Sequence, residues 1–569
     1  MKIKINRFIN VIILILLVVI SLSINLYPID GNKVTYTSGG YISQTLTEEI
    51  QESINMNEEV TISLKLDYDL LDTSNLLPPE GCSLERAREL KRQRRELGRA
   101  YYTRNNNMLV QKIDGKNYKN RYVSTYLPVI EYSYTVEEFN KNKNSILSSL
   151  STSSDVKTVD VVGSDKKVDQ VSFALAKSNA SELFTSSNPY TGSGINIGVM
   201  EAGIADKDHD ALTGINLTVR DEWYYVETKT DHATKMVSIL AHQTGGIVPD
   251  AHIFSVEASG SLTSELDWLV DNDVDIVNMS MGYENSYGLY RNPSAECDHV
   301  AKQYGILFVA SSGNTTDSNP DNKVSNPGLG YNVLTIGNHD LIDTLHSTSC
   351  YKVVDGAVKP NFVVCGTQLR VGGFTTEKIT GTSCSAAVTT GMIASLMNRS
   401  AALIGNPAKV ITLAMASCTP VTGTLGNTET NGLNEKWGTG LFKYNQAVAV
   451  LNYVYTVTNT NTSTTTSGGI LIGSLPCGFT IGKPIKISMF WEVNANGTYT
   501  QTTRTTYFAE LYDAANKLIA TSTCGKSNYM YIYLSEAITG GRYTLKIYQK
   551  GTKAVSGNEN VYVCFGSNA

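Results

Sequence analysis

Four short stretches of the chain carry side chains able to act on one another. Gly381-Thr382-Ser383-Cys384-Ser385-Ala386 leads into a helical run through Met397. A serine at a helix start lies where unpaired backbone N–H groups and the helix dipole favour a developing negative charge. Taken alone, the same serine reads as an N-cap. Asp231-His232-Ala233-Thr234-Lys235-Met236-Val237 puts an imidazole at the mouth of another helix. Ile197-Gly198-Val199-Met200-Glu201-Ala202-Gly203-Ile204 ends an apolar strand in a carboxylate and a glycine turn, and Val309-Ala310-Ser311-Ser312-Gly313-Asn314 ends another in a side-chain amide. Acid–base and nucleophilic chemistry is built from such groups.

The elements that must hold these groups alternate between strand and helix from Gly194 to Leu451. Apolar strands are expected at Ile195–Met200, Ile253–Val256, Ile276–Met279, Ile306–Ala310 and Val333–Ile336. Helices are expected at Thr234–His242, Leu262–Asp271, Cys384–Arg399 and Ala408–Ala416. Short apolar strands alternating with helices call for a mostly parallel α/β sheet covered on both faces. In such sheets reactive groups gather at the carboxyl ends of the strands.

The flanks differ in character. Lys2, Lys4 and Arg7 precede an apolar run from Phe8 to Leu22, the pattern of a signal peptide, here 1–27. Since no A-x-A site follows, an uncleaved membrane anchor is the alternative, and either way the chain is expected outside the cytoplasm. Residues 28–170 read as α+β, with strands at Pro128–Tyr134 and Val156–Val162 around a helix at Val136–Leu150. Upstream, Ser83–Arg104 is a charged helix with eight Lys and Arg; it reads as a solvated face or as a docking surface for an acidic partner. Residues 454–467 read as a polar linker between an α/β region at 171–453 and a β-sandwich at 468–569.

Composition narrows the function classes. With 41% hydrophobic and 18% charged residues, the 569-residue chain can bury large cores. A formal charge of -6 gives no reason to expect nucleic acid as a partner. The nine cysteines form no C-x-x-C pair, and His209, His242, His252, His299, His339 and His346 form no H-E-x-x-H or related ligand set. No metal site is therefore assigned. Cys384 reads as a small core residue.

Taken in order, the carboxylate, His, Asn and Ser stretches resemble the motifs of subtilisin-like serine peptidases, the subtilases. So do Asn278-Met279-Ser280-Met281-Gly282, Lys359-Pro360-Asn361-Phe362-Val363-Val364-Cys365-Gly366 and Trp437-Gly438-Thr439-Gly440-Leu441. The resemblance spans 188–451 and implies a serine endopeptidase. In it, Ser383 attacks the scissile carbonyl, His232 carries the proton, Glu201 orients the imidazole and Asn314 donates to the oxyanion. It further implies that Ser280, Met281 and Gly282, and Ser311, Ser312 and Gly313, flank the bound peptide. Residues 28–170 then correspond to an inhibitory propeptide of a zymogen, and the partners are a protein or peptide substrate and that propeptide, with the protein a monomer. Subtilases often bind structural calcium, but no compact acidic loop here can be assigned to it, and no cofactor is required.

The sequence departs from the family in three places. Glu201 stands where Asp is usual, and its extra methylene moves the carboxylate by about an ångström. Ala233 and Lys235 alter the usual His-Gly-Thr-His, and Ala387 replaces a Pro. The rival to an active enzyme is a subtilase fold kept as a binding or regulatory module.

Overall fold

The computed structural model describes residues 59–566, except 67, 69–70, 80, 114–117, 152–154, 163–166, 170–177, 181–182, 184–187, 221–227, 260, 284–286, 341, 375–377, 422–432, 462–467, 496–503, 538–540 and 556. The stretch read as a signal peptide lies outside these residues. Among them, no helix is long and apolar enough to cross a membrane.

The N-terminal part comprises β1 (Glu59–Leu66), α1 (Leu84–Val110), β2 (Asn120–Val123), β3 (Val129–Thr135), α2 (Val136–Ser151), β4 (Val156–Val162) and β5 (Lys167–Asp169). Four strands form an antiparallel sheet in the order β2-β3-β1-β4. Val60, Ile62, Leu64 and Leu66 alternate along β1 and pack with Phe139, Ile146 and Leu147 of α2. The short β5 leaves this sheet and pairs elsewhere.

The central part follows with β6 (Asn196–Glu201), β7 (Leu217–Val219), α3 (Asp231–Ala241), β8 (His252–Glu257), α4 (Thr263–Asp271), β9 (Ile276–Met279), β10 (Met281–Tyr283), α5 (Asn292–Tyr304), β11 (Leu307–Ser311), β12 (Leu334–His339), β13 (Phe362–Cys365), β14 (Thr367–Arg370), β15 (Lys378–Thr380), α6 (Thr382–Arg399), α7 (Pro407–Ala416), β16 (Cys418–Thr419), β17 (Leu441–Phe442) and α8 (Tyr444–Ala449). Nine strands make one sheet in the order β16-β17-β13-β12-β11-β9-β6-β8-β7, parallel except for β16. Ile276, Val309 and Ile336 send their side chains to a core shared with α3 and α6. Val277, Met279 and Phe308 point the other way, to a core shared with α4 and α5. That two-sided burial is why these strands read as unbroken apolar runs.

Eight strands complete the chain: β18 (Val454–Asn459), β19 (Ile470–Phe479), β20 (Ile485–Phe490), β21 (Thr506–Tyr512), β22 (Leu518–Thr523), β23 (Tyr529–Leu534), β24 (Gly541–Lys550) and β25 (Glu559–Gly566). They form two four-stranded antiparallel sheets, β18-β25-β20-β23 and β19-β24-β21-β22. The linker expected from residue 454 is corrected here. Residues 454–459 are a strand paired along its whole length with β25. Its alternating Val and Thr are polar in composition but favour a pleated surface.

The charged helix α1 extends to Val110, beyond the expected end at Arg104, and its basic residues meet acids of the same chain. Arg88 reaches Asp275 through both Nη atoms, at 2.6 and 2.5 Å, and Lys91 Nζ lies 3.0 Å from the same carboxylate. A second set of buried charges joins the N-terminal sheet to α4 and α5. Glu131 accepts from Ser261 Oγ at 2.6 Å and Thr263 Oγ1 at 2.9 Å, while Lys65 pairs with Glu296. Asp267 accepts from Tyr122, from Ser124 Oγ at 3.0 Å and from the Thr125 N–H at 3.1 Å. Glu265 lies 3.8 Å from Arg220.

Burial pushes Asp267 and Glu265 each up to about 7, against the hydrogen bonds to Asp267 and the charge of Arg220. Both values are raised on folding. Their stabilisation is therefore complete below the ordinary carboxylate range and is lost as pH rises through about 7. We expect the full chain to lose urea resistance between about pH 6 and 8. Asp267→Asn should flatten that slope, as read from unfolding midpoints at the two pH values.

Candidate active site

Three side chains converge at the carboxyl end of the central sheet. β6 delivers Glu201 as its last residue, fully buried. α3 delivers His232 in its first turn, where Thr230 Oγ1 caps the helix by accepting from the Ala233 N–H at 3.2 Å. The imidazole Nδ1 stands 3.3 Å from Glu201 Oε2. α6 delivers Ser383 as its second residue, and its N-cap position is Gly381. Ser383 is therefore not the N-cap that its sequence context alone would favour. Its Oγ donates to the Ser280 carbonyl at 3.0 Å.

α6 can run through the interior because its residues are small. Ala386, Ala387 and Ala394 are fully buried, and a Cβ on Gly391 would come within 2.8 Å of Ile247. Thr389 and Thr390 return their hydroxyls to the carbonyls of Ser385 and Ala386, at 2.6 and 2.9 Å, so the buried helix carries no stray donor at these positions. Cys384 sits in this core, and burial pushes its thiol well up.

The motif at 278–282 does more than its resemblance alone conveyed. Asn278 Nδ2 donates to Glu201 Oε1 at 2.9 Å, and the Ser280 N–H donates to the same oxygen at 3.0 Å. Ser280 Oγ then donates to the Ser383 carbonyl at 2.8 Å, tying β9 to the start of α6. One carboxylate oxygen is thus held by β9, and the other faces the imidazole. In the sequence, Asn278 stands in a motif that by itself assigns it no role. The signal was there, in a polar residue within an otherwise apolar strand.

Asn314 follows β11, and its Oδ1 accepts from the Thr382 N–H at 3.1 Å and Thr382 Oγ1 at 3.2 Å. With the oxygen so held, the amide N–H groups form the other side of that side chain. Met281 and Gly282 lie in β10, whose antiparallel partner is β5: Met281 opposes Asp169, Gly282 opposes Val168 and Tyr283 opposes Lys167. Ser311, Ser312 and Gly313 close β11, with Gly313 at φ 99°, a turn suited to glycine. The Ser312 N–H is engaged by the Ile336 carbonyl at 2.9 Å.

The other carboxylates near these stretches lie apart from the imidazole. Asp206 and Asp208 pair with Lys229 at 2.6 and 2.8 Å on the surface, and the exposed Asp231 lies 3.6 Å from Lys235. Among the described residues, no group of three or more His, Cys, Asp or Glu is placed to hold a metal ion.

With this geometry in hand, residues 192–440 match the subtilase family, Peptidase_S8. The mostly parallel α/β sheet described above is consistent with that family's fold. The chain is 36% identical over 149 residues to the minor extracellular protease Epr of Bacillus subtilis (strain 168), covering 23% of this chain and 22% of that protein. It is 27% identical over 163 residues to subtilisin DY of Bacillus licheniformis, covering 26% of this chain and 57% of that protein. The match thus spans less than two thirds of either relative. Among solved structures, the prenylagaramide maturation protease PagA aligns at 20% identity and a TM-score of 0.39, over 48% of this chain and 98% of that one.

Removing the Asn278 amide leaves a fully buried carboxylate oxygen with one donor fewer. Asn278→Ala should destabilise the protein by about 1–3 kcal/mol, read from the urea midpoint at unchanged slope.

Proposed function

We propose that the chain is an exported serine endopeptidase that hydrolyses peptide bonds through an acyl-enzyme. The carrying observation is the buried Glu201–His232 pair at 3.3 Å beside the helix-borne Ser383, within the segment that matches the subtilase family. Ser383 Oγ attacks the carbonyl carbon of the scissile bond as His232 Nε2 takes its proton. Asn314 Nδ2 and the Ser383 N–H receive the negative charge that forms on the carbonyl oxygen. His232 returns the proton to the departing amine, and a water molecule then releases the acyl group by the same steps in reverse.

Glu201 keeps the imidazole proton on Nδ1 and stabilises the imidazolium. The longer side chain is accommodated because Asn278 and the Ser280 N–H fix Oε1 and leave Oε2 to His232. The substrate pairs as an added strand with the edge at Ser280–Gly282, on the side opposite the 311–313 turn. The pairing of Lys167–Asp169 with that edge supports a zymogen in which the chain upstream occupies the substrate's place. The charged and apolar N-terminus supports export, with cleavage near residue 27.

Ser383→Ala should abolish hydrolysis of a fluorogenic peptide and labelling by a fluorophosphonate, with the far-UV circular dichroism unchanged. Labelling that persists in the variant would remove Ser383 from the mechanism.

Glu201→Gln should lower kcat by about 10⁴ with little change in KM, because the amide neither stabilises the imidazolium nor selects its tautomer. Glu201→Asp separates two cases. The donors to Oε1 are set for the longer side chain, so the shorter one draws away from the imidazole and should lose about 10² in kcat. Kinetics of Glu201→Gln equal to wild type would point to a different carboxylate.

A further inference from the structure

We propose that residues 59–162 are a permanent subunit of the mature protein, staying bound after the chain is cut downstream of Asp169, and that only the strand in the cleft leaves. This rests on the reading of the chain as a peptidase made with an N-terminal segment. It departs from a disposable inhibitor on where the contacts lie and how they are built.

The first observation is a shared core. Tyr102, Tyr126, Leu127 and Val129 of the N-terminal part belong to the same buried cluster as Phe254, Leu266, Val300 and Tyr304. The rings of Tyr126 and Tyr304 meet edge to face at 5.1 Å, and Tyr304 Oη donates to the Tyr126 carbonyl at 2.5 Å. α1 approaches so closely that a Cβ on Gly98 would collide with the Tyr304 ring. Interfaces that resemble an interior cut in half are those of obligate partners.

The second observation is the placement of charge. Asp275 precedes β9 at the amino end of the parallel sheet, the end away from Glu201 and Ser383. It is fully buried, and Arg88 and Lys91 of α1 neutralise it. Arg94, also buried, donates to the Gly405 and Lys302 carbonyls, each at 2.7 Å. These contacts are remote from the cleft and have no part in blocking it. The third is a cavity of about 210 Å³ where all three parts of the chain meet, lined by Asp72 and Arg94, by Lys302, and by Glu492 and Asn558. The N-terminal part therefore borders the C-terminal sandwich as well as packing on the central sheet. By contrast, β5 joins the cleft through three residues of one short ladder. The tail is built to leave, and the body is built to stay.

The test uses the full chain carrying Ser383→Ala, with a recognition sequence for an unrelated site-specific protease inserted between Gln170 and Lys177. After cutting, both fragments should co-elute in gel filtration as one species, at nanomolar protein and in about 1 M salt, where charges are screened beyond about 3 Å. Two separate peaks would overturn the proposal. In the cut chain, Arg88→Ala with Lys91→Ala should speed dissociation about tenfold or more, because it leaves Asp275 unpaired. An unchanged rate would overturn the assignment of the clasp to α1. The same insertion with Ser383 intact should give peptide hydrolysis in the co-eluting fraction. Hydrolysis that appears only once the N-terminal fragment has left would overturn the proposal. Co-elution with no hydrolysis in any fraction would leave it standing and overturn the peptidase reading instead.

Discussion

A carboxylate held with no access to water must be matched by donors on every side, and Glu201 sets that condition for the centre of this protein. Moving such an ion out of water costs several kcal/mol unless charge and hydrogen bonds replace the lost hydration. The replacements come from α3 through His232 and from β9 and its continuation through Asn278 and the Ser280 N–H. Ser280 in turn exchanges hydrogen bonds with Ser383, donating to its carbonyl and accepting from its hydroxyl. A single buried charge thus fixes the relative positions of one strand end and two helix starts. The geometry is rigid because each partner is itself part of a packed element.

Much of this architecture is legible in the sequence. Strands with both faces buried appear as apolar runs, and the five expected in the central sheet fall within a residue or a few of those observed. Helices α3 and α6 were legible from their starts, because the candidate His232 and Ser383 stand on the first turn. α5 was not. Its sequence, Asn-Pro-Ser-Ala-Glu-Cys-Asp-His-Val-Ala-Lys-Gln-Tyr, has no apolar stripe, yet Glu296, Asp298, His299 and Gln303 are all buried. The N-terminal part covers the face that would otherwise meet water, and a local pattern cannot register a cover supplied from two hundred residues away. β18 was missed for a related reason. Val-Tyr-Thr-Val-Thr-Asn reads as polar and unstructured until β25 is laid beside it.

The basic residues of α1 illustrate a different limit. Their spacing admitted a solvated face or an acidic partner, and the two differ only in what lies opposite. What lies opposite is Asp271, Asp273 and Asp275, one short acidic run from the end of α4 to the residue before β9, which looks like an ordinary turn in the sequence. Charge complementarity between distant segments is visible only in three dimensions. The site itself was more legible than its supports for the same reason: reactive groups announce themselves by type, while the groups that hold them are ordinary amides and hydroxyls.

The sheet β18-β25-β20-β23 buries most of its second face against the central core, leaving only the β18 side exposed at Thr456 and Thr458. Along β20, Ile487, Met489 and Trp491 point into the sandwich, while Phe490 joins the core beneath α7 and Ser488 Oγ donates to the Thr412 carbonyl at 2.6 Å. Tyr529, Tyr531 and Tyr562 belong to that same central core. The match to the subtilase family ends at residue 440, but the packing runs straight through that point. The unit of inheritance and the unit of folding therefore have different edges. A segment trimmed to the family boundary would expose the underside of α7, and a sandwich transplanted to another host would carry an apolar sole in need of a matching floor. Losing these strands in one step would leave an apolar face of the central core open to water.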